Sequence, residues 1–504
     1  MKSKLTPVLG ASAIVLAAAN CVYAQYTPPA PLQPFPGFIN DALRKQDPYY
    51  SVWDIGGALR LRYELKEGGI GVPPANDFRD LTTGTTRNNN DYTSAKLLAR
   101  VGYTDKWWSA YIEGRSSETW SDNRSNTGLG AVPGPGGRGG PEQDGIVDLH
   151  QAYVTVGNHK EFPVSLKLGR QELSYGDERL VGAFAWNNIG RVFDAAKVRW
   201  QTAWFAAEAF GSKLVLPNDN NHNVWNDYSS FCGLHVTTKK LPKNTTEVYF
   251  FARNEDIGSG TANTGAVLPF QLAAPAARDI YTLGARFKST PGEFGKFDYT
   301  VEGAYQLGNW RAAAGGPNTD HEAYAFVANL GYTFGDSAMT PRLAVEYNYA
   351  SGDENAADGE HGTFDNLFPT NHKFYGYMDF LSWQNIHDVR LAYSMKPHPR
   401  LSVALEAHSY WLAETTDSFY NAGGVARGGG GVGTGTGYAI NPSYDNHIGY
   451  EVDLVVGYTL TKFAGLEAGY GHFFVGDYVE QSWAAPAFGS KDADWFYLQT
   501  VVRF

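Results

Sequence analysis

Trp495-Phe-Tyr-Leu-Gln-Thr-Val-Val-Arg-Phe504 is the last stretch of the chain. Taken by twos, Phe496, Leu498, Thr500, Val502 and Phe504 make a mostly apolar face, and Tyr497, Gln499, Val501 and Arg503 a polar one. That period of two belongs to a strand with one apolar and one wet side. A strand ending on an aromatic is expected to close against another strand at an interface, leaving no open edge.

The same alternation recurs backwards from this point. Ile448, Tyr450, Val452, Leu454, Val456 and Tyr458 alternate with Gly449, Glu451, Asp453, Val455 and Gly457, and Leu59, Leu61, Tyr63 and Leu65 alternate with Arg60, Arg62, Glu64 and Lys66. About 18 such segments of roughly nine to eleven residues follow one another, the length a tilted strand needs to cross a bilayer. Their expected starts are near residues 58, 94, 108, 147, 164, 191, 203, 230, 245, 279, 296, 323, 341, 386, 400, 447, 464 and 495. Connections alternate between long stretches, such as 67–93, 174–190 and 352–385, and tight links, such as Thr104-Asp105-Lys106-Trp107 and Lys396-Pro-His-Pro-Arg400. Short turns on one side and long loops on the other fit a transmembrane antiparallel up-and-down β-barrel with short periplasmic turns and long extracellular loops. A soluble sandwich has no reason to keep that asymmetry.

The bulk numbers agree once the barrel is considered. A mature chain of about 480 residues would ordinarily suggest two or three domains. The negative mean hydropathy and 18% charged residues would ordinarily suggest a soluble protein, but a barrel keeps every second residue polar. Tyr103, Trp107, Trp108, Trp200, Tyr332, Phe334, Trp411, Tyr458, Phe474 and Trp495 sit at expected strand ends, where two aromatic girdles belong.

At the other end, Lys2 and Lys4 precede an apolar run from Val8 to Ala19, and Val22-Tyr23-Ala24 offers a small-residue cleavage site. Residues 1–24 are expected to be a signal peptide. Asn20 before Cys21 is not the small residue a lipoprotein needs, and with Cys21 removed only Cys232 remains, so no intramolecular disulfide is expected. Residues 25–57 read as a Pro-rich periplasmic segment, extended from Tyr26 to Pro48, and 58–504 as the barrel. The extended lead is a candidate contact for a periplasmic secretion partner. Removing Lys2 and Lys4 takes the formal charge from −11 to −13, which disfavours nucleic acid as a partner.

With the apolar set facing lipid, charged residues must face the lumen. The inward basic set includes Arg60, Arg62, Lys96, Arg100, Arg115, Lys197, Arg199, Arg253, Arg286, Lys288, Arg342, Arg390 and Arg503. Cations cluster on the first three strands, whereas Glu406, Glu451, Asp453 and Glu467 come late. First and last strands are neighbours in a closed barrel, so Glu451, Asp453 and Glu467 are expected to orient the arginines. An arginine-rich lumen suits a path for carboxylates. Cross-bracing of the wall by ion pairs is the plainer reading of the same residues. In Val164-Ser-Leu-Lys-Leu-Gly-Arg-Gln171 the parity would turn Arg170 toward lipid, and a bulge at Gly169 is expected to return it to the lumen.

Leu166-Lys-Leu-Gly-Arg-Gln-Glu-Leu173, followed by Asp177 and Ala185-Trp-Asn187, together with Trp108-Ser-Ala-Tyr111, Tyr349-Ala-Ser-Gly-Asp353, Ile448-Gly-Tyr-Glu-Val-Asp-Leu-Val-Val456 and Phe364-Asp-Asn-Leu-Phe-Pro-Thr-Asn-His-Lys-Phe-Tyr-Gly-Tyr377 in a long external loop, resembles the alginate export family of outer-membrane barrels. The resemblance implies an 18-stranded monomer that passes a secreted uronate polymer across the outer membrane through an arginine-rich constriction. By matching position it makes Arg170 the first candidate for that constriction. It also implies contact with lipopolysaccharide and with the barrel assembly machinery. A substrate-specific porin taking up small anions or oligosaccharides remains the alternative.

Other features carry less. Gly428–Gly437 lacks the Lys and Ser/Thr of a phosphate loop. Asp353, Glu354, Asp358, Glu360 and His361 read as a solvated acidic loop ahead of a divalent-cation site. His408 and Ser409 are strand neighbours pointing to opposite faces, so no catalytic pairing is expected there. No enzyme activity, metal or cofactor is expected.

Overall fold

The computed structural model describes residues 35–68, 89–122, 142–158, 160–216, 224–225, 228–256, 277–290, 292–311, 316–335, 339–424, 426, 439–482 and 492–504. The expected signal peptide, residues 1–24, and the glycine-rich run at 428–437 lie outside these residues. Among the described residues, 18 antiparallel strands form one closed wall. In chain order they are β1 (Trp53–Gly68), β2 (Asn89–Thr104), β3 (Trp108–Trp120), β4 (Asp144–Val156), β5 (Val164–Gln171), β6 (Phe193–Gln201), β7 (Phe205–Leu216), β8 (Ser229–Thr238) and β9 (Asn244–Glu255), then β10 (Ala277–Ser289), β11 (Phe297–Arg311), β12 (Thr319–Thr333), β13 (Arg342–Ala350), β14 (Ile386–His398), β15 (Leu401–Trp411), β16 (His447–Thr461), β17 (Ala464–Val475) and β18 (Ala493–Arg503). β18 pairs with β1 from Ala58↔Arg503 to Gly68↔Ala493. The final strand therefore closes the ring, as its pattern predicts.

Alternation works as expected on the outer face. Leu61, Leu97, Ile112, Val154, Val198, Leu234, Leu283, Val345, Leu391, Leu454 and Leu498 are all exposed. Such a belt would aggregate in water and is what hydrocarbon requires. Trp107, Trp108, Trp200, Phe334, Tyr458 and Phe474 are exposed near strand ends as girdle residues. Trp495 is not one of them: it shares the inward parity of Tyr497, is buried, and donates its Nε1–H to Glu64 at 3.0 Å.

The lead into the barrel also differs from an extended segment. Helix α1 (Phe38–Gln46) precedes β1, and the wall begins at Trp53 rather than at 58. α1 docks at the short-turn end. Asn40 donates to Asp54 at 2.9 Å and accepts from the Ile55 N–H at 2.8 Å, Lys462 pairs with Asp41, and the Phe38 ring packs 6.1 Å from Phe463 and 6.2 Å from Phe504. Phe504 and Gly57 exchange both backbone hydrogen bonds at 3.0 Å.

No bulge occurs at Gly169. Pairing runs in unbroken register through β5 on both sides, and the irregularity lies in β4, where Gln151 and Leu149 oppose Glu113 and Gly114. Gly169 has φ 121°, and a Cβ there would stand 2.2 Å from the Ala152 carbonyl oxygen. Gly169→Ala is expected to cost about 1–3 kcal/mol or more, read as a lowered urea midpoint of the folded, heat-modifiable band.

Candidate functional site in the barrel lumen

The outer half of the lumen is filled by the chain's own loops. Residues 172–192, between β5 and β6, and 351–385, between β13 and β14, turn inward instead of standing outside. Leu173, Leu180, Val181, Trp186, Phe364, Leu367, Phe368, Tyr375, Phe380 and Trp383 are buried in one apolar cluster with inward wall residues. The loops join through backbone: Gly182 N donates to Phe368 O at 2.8 Å, Phe368 N to Leu180 O at 2.8 Å and Thr370 N to Glu178 O at 2.9 Å. The His372 ring stacks on Trp186 at 4.1 Å. This is a plug, placed where an external loop was expected.

The basic strip of β1–β3 holds that plug. Arg60 donates to Ala185 O at 3.1 Å and to Asn188 Oδ1 at 3.2 Å. Arg62 donates to Trp186 O at 2.9 Å, with its guanidinium 3.9 Å over the Trp186 ring. Lys96 reaches Asn187 O at 2.7 Å, and Arg115 reaches Ile189 O at 2.7 Å and Asp148 at 3.2 Å. These cations therefore neutralise loop carbonyls, the acceptors that a loop carried into a lumen would otherwise leave unpaired. Arg100 is engaged lower down, with Asp54 at 2.9 Å and Pro36 O at 3.1 Å beside α1.

Of the late acids, Glu451 and Asp453 hold the other loop rather than orienting the arginines, and Glu467 bonds the neighbouring wall strand. Glu451 Oε1 accepts the Met378 N–H at 2.9 Å and Asp453 Oδ2 the Tyr377 N–H at 3.4 Å. Gly376 has φ 85°, and a Cβ there would lie 2.3 Å from Glu451 Oε2, so glycine lets this loop approach the wall. Glu467 accepts from Tyr497 at 2.9 Å and Gln499 at 2.7 Å.

Arg170 stays on the parity of Leu166 and Leu168, which are 37% and 47% exposed. It lies opposite Asp194, on the parity of Val198, and grips that carboxylate with two bonds of 2.8 and 3.0 Å. Pairing at the far end of β5 removes the need for a lumen position, so the first constriction candidate belongs to the outer wall. Arg390 pairs with Glu406 at 2.5 Å. Arg199 pairs with Glu208 at 2.5 Å and keeps 36% of its side chain exposed. Arg503 faces inward near the short-turn rim.

Cations and acids inside the loops escaped the period-two reading. Arg179 in the first loop bonds Glu346 at 2.8 Å and Asn348 at 3.0 Å, over the Phe374 ring at 3.9 Å. Asp177 pairs with Arg286 at 2.9 Å and Lys288 at 2.7 Å, and Asp365 with Arg253 at 2.9 Å and Arg278 at 2.7 Å. Burial acts to raise both carboxyls, but Lys288 with Arg286, and Arg253 with Arg278, outweigh it and hold them below the usual carboxylate range. A depressed folded value stabilises above the ordinary pKa of about 4 and is lost as pH falls through the folded value. Hydrogen-exchange protection of both loops, corrected for intrinsic rate, is therefore expected to hold from neutral pH to about 4 and to fall in stronger acid. Asp177→Asn with Asp365→Asn should remove that acid step.

Among the described residues no cluster of three or more His, Cys, Asp and Glu has metal-site geometry, and Asp353 and Asp417 instead accept loop hydrogen bonds.

A closed ring of strands with a lipid-facing belt, polar lumen and inward loops defines an outer-membrane-type channel. Residues 55–485 match the alginate export family, and the chain belongs to it. No curated protein matches. Among solved structures it is similar to a BenF-like porin from Pseudomonas fluorescens Pf-5 (TM-score 0.54, 10% identity, covering 90% of this chain and 98% of that one). It is also similar to Pseudomonas aeruginosa OpdK with vanillate (0.53, 11%, 90% and 98%) and OccK9 (OpdG) from the same organism (0.51, 14%, 90% and 99%). At these identities the likeness is one of fold.

Proposed function

We propose that this channel passes an anionic, uronate-type exopolysaccharide such as alginate across the bacterial outer membrane. The observation that carries the proposal is the plug. An 18-stranded ring is wide enough to leak solutes if left open, and two loops anchored by wall cations and acids close its outer half at rest. A polymer entering from the short-turn side would meet Arg199 and Arg503 before it met the plug, whose Asp177 already holds Lys288. Closure in one chain supports a monomer, and α1 at the short-turn mouth is where a periplasmic secretion partner would dock. Lipopolysaccharide would contact the outer girdle, and the barrel assembly machinery would receive β18.

A loop-constricted basic lumen also suits a porin that takes up small anions or oligosaccharides, and the two readings separate by ligand size. Conductance in planar bilayers with oligouronates of increasing length tests them: block that deepens with length supports the conduit, and block by small monomeric solutes alone supports uptake.

A further inference from the structure

A ring of antiparallel strands has one neighbouring pair that is not consecutive in the chain, and here it is β1 with β18. Every other neighbouring pair is joined by a turn or loop. These two are held by side-chain contacts and by their ladder, from Ala58↔Arg503 to Gly68↔Ala493. Within hydrocarbon the ladder is secure, because a parted pair would bare backbone groups to lipid. Its ends lie in water, where a strand edge can fray. At the short-turn end β1 runs on past its partner. Gly57 and Phe504 exchange both backbone hydrogen bonds at 3.0 Å. The same register would set Ile55, the next ladder donor on that edge, opposite a position two beyond Phe504. Asn40 of α1 stands there instead. Its Oδ1 accepts the Ile55 N–H at 2.8 Å, and its Nδ2 donates to Asp54 Oδ1 at 2.9 Å. A buried helix side chain thus adds the rung that β18 does not supply.

The same helix also grips the other side of the seam. Asp41 pairs with Lys462 in the β16–β17 turn, and Phe38 packs against Phe463 of that turn and against Phe504. Arg503 N donates to Phe463 O at 2.8 Å, so the turn is itself tied to β18. Toward β1, α1 is continuous through the short 3₁₀ turn Pro48–Val52. Arg100 on β2 fixes the approach by binding Asp54 at 2.9 Å and Pro36 O at 3.1 Å. We propose that α1 is a latch on the β1–β18 seam. It does for this pair what a turn does for the others, and its release is the first step by which the ring opens.

The test is the unfolding rate in urea of the folded, full-length protein in detergent, followed as loss of the heat-modifiable band, with hydrogen exchange read strand by strand. Asn40→Ala is expected to unfold about tenfold faster, because the Ile55 N–H loses its acceptor. Exchange protection should fall along β1 and β18 first, with β8 and β9, across the ring, unchanged. Ala58 and Arg503 face each other one residue inside the Gly57–Phe504 exchange, at a non-hydrogen-bonded position. Ala58→Cys/Arg503→Cys, in a Cys232→Ser background, can therefore staple the seam with a disulfide. With the disulfide closed Asn40→Ala should add nothing to the rate, and after reduction the acceleration should return. An Asn40→Ala rate equal to that of the wild type would overturn the latch. Acceleration that persists with the seam stapled, or protection lost evenly around the wall, would also overturn it, since either makes α1 a general support of the barrel.

Discussion

Excision of residues 352–384, with Ser351 joined to Asn385 through a short Gly-Ser turn, is expected to raise single-channel conductance on the order of tenfold or more. Ala350 and Ile386 are register partners at the top of β13 and β14, so a tight hairpin can replace the loop without disturbing the wall. The excision removes the apolar half of the plug, including Phe364, Phe368, Tyr375 and Trp383. It also strips the remaining loop of its contact between Val181 and Phe368. Glu451 and Asp453 would be left facing water in a widened lumen, which is a tolerable state for carboxylates. Conductance equal to that of the intact protein would mean that the plug is not the barrier.

Arg62→Ala is the point substitution with the largest expected effect. Arg62 is fully buried between Glu64 at 2.7 Å, Glu142 at 3.4 Å, the Trp186 carbonyl and the Trp186 ring. Deleting one partner of a buried ion pair leaves the other's charge uncompensated, at about 3–5 kcal/mol. Here the loss should fall on the first loop's docking, read as lost hydrogen-exchange protection over residues 183–190 and a noisier, leakier baseline current. Arg62→Met with Glu64→Gln should lose less, because of the two carboxylates only Glu142 keeps its charge, and it retains the Asn188 N–H at 2.7 Å.

The wall was readable because hydrocarbon enforces period two over most of each strand. β3, β5, β14, β16 and β17 begin at Trp108, Val164, Ile386, His447 and Ala464, where the alternation starts, and the pairing of Arg503 with Ala58 was implicit in a strand that ends on an aromatic. The lumen was not readable in the same way. Parity tells which face a side chain occupies, not what lies opposite it, and an arginine facing water has the same pattern as one facing a loop carbonyl. Arg60, Arg62, Lys96 and Arg115 were therefore placed on the right face with the wrong partner. Arg170 needs no lumen position, because Asp194, four residues before the outward Val198 and on the same parity, supplies its counter-ion.

A signal for the plug was nevertheless present. Ten large apolar side chains fall between Phe364 and Trp383, too many for a loop bathed in water.

The measurement that bears most directly on the uronate channel is conductance of the loop-excised protein in a planar bilayer, with oligouronates added on the short-turn side. Anion preference is expected, with block that deepens as the oligomer lengthens and is unchanged in Arg170→Ala. Cation preference, or block by small neutral sugars and not by oligouronates, would contradict it.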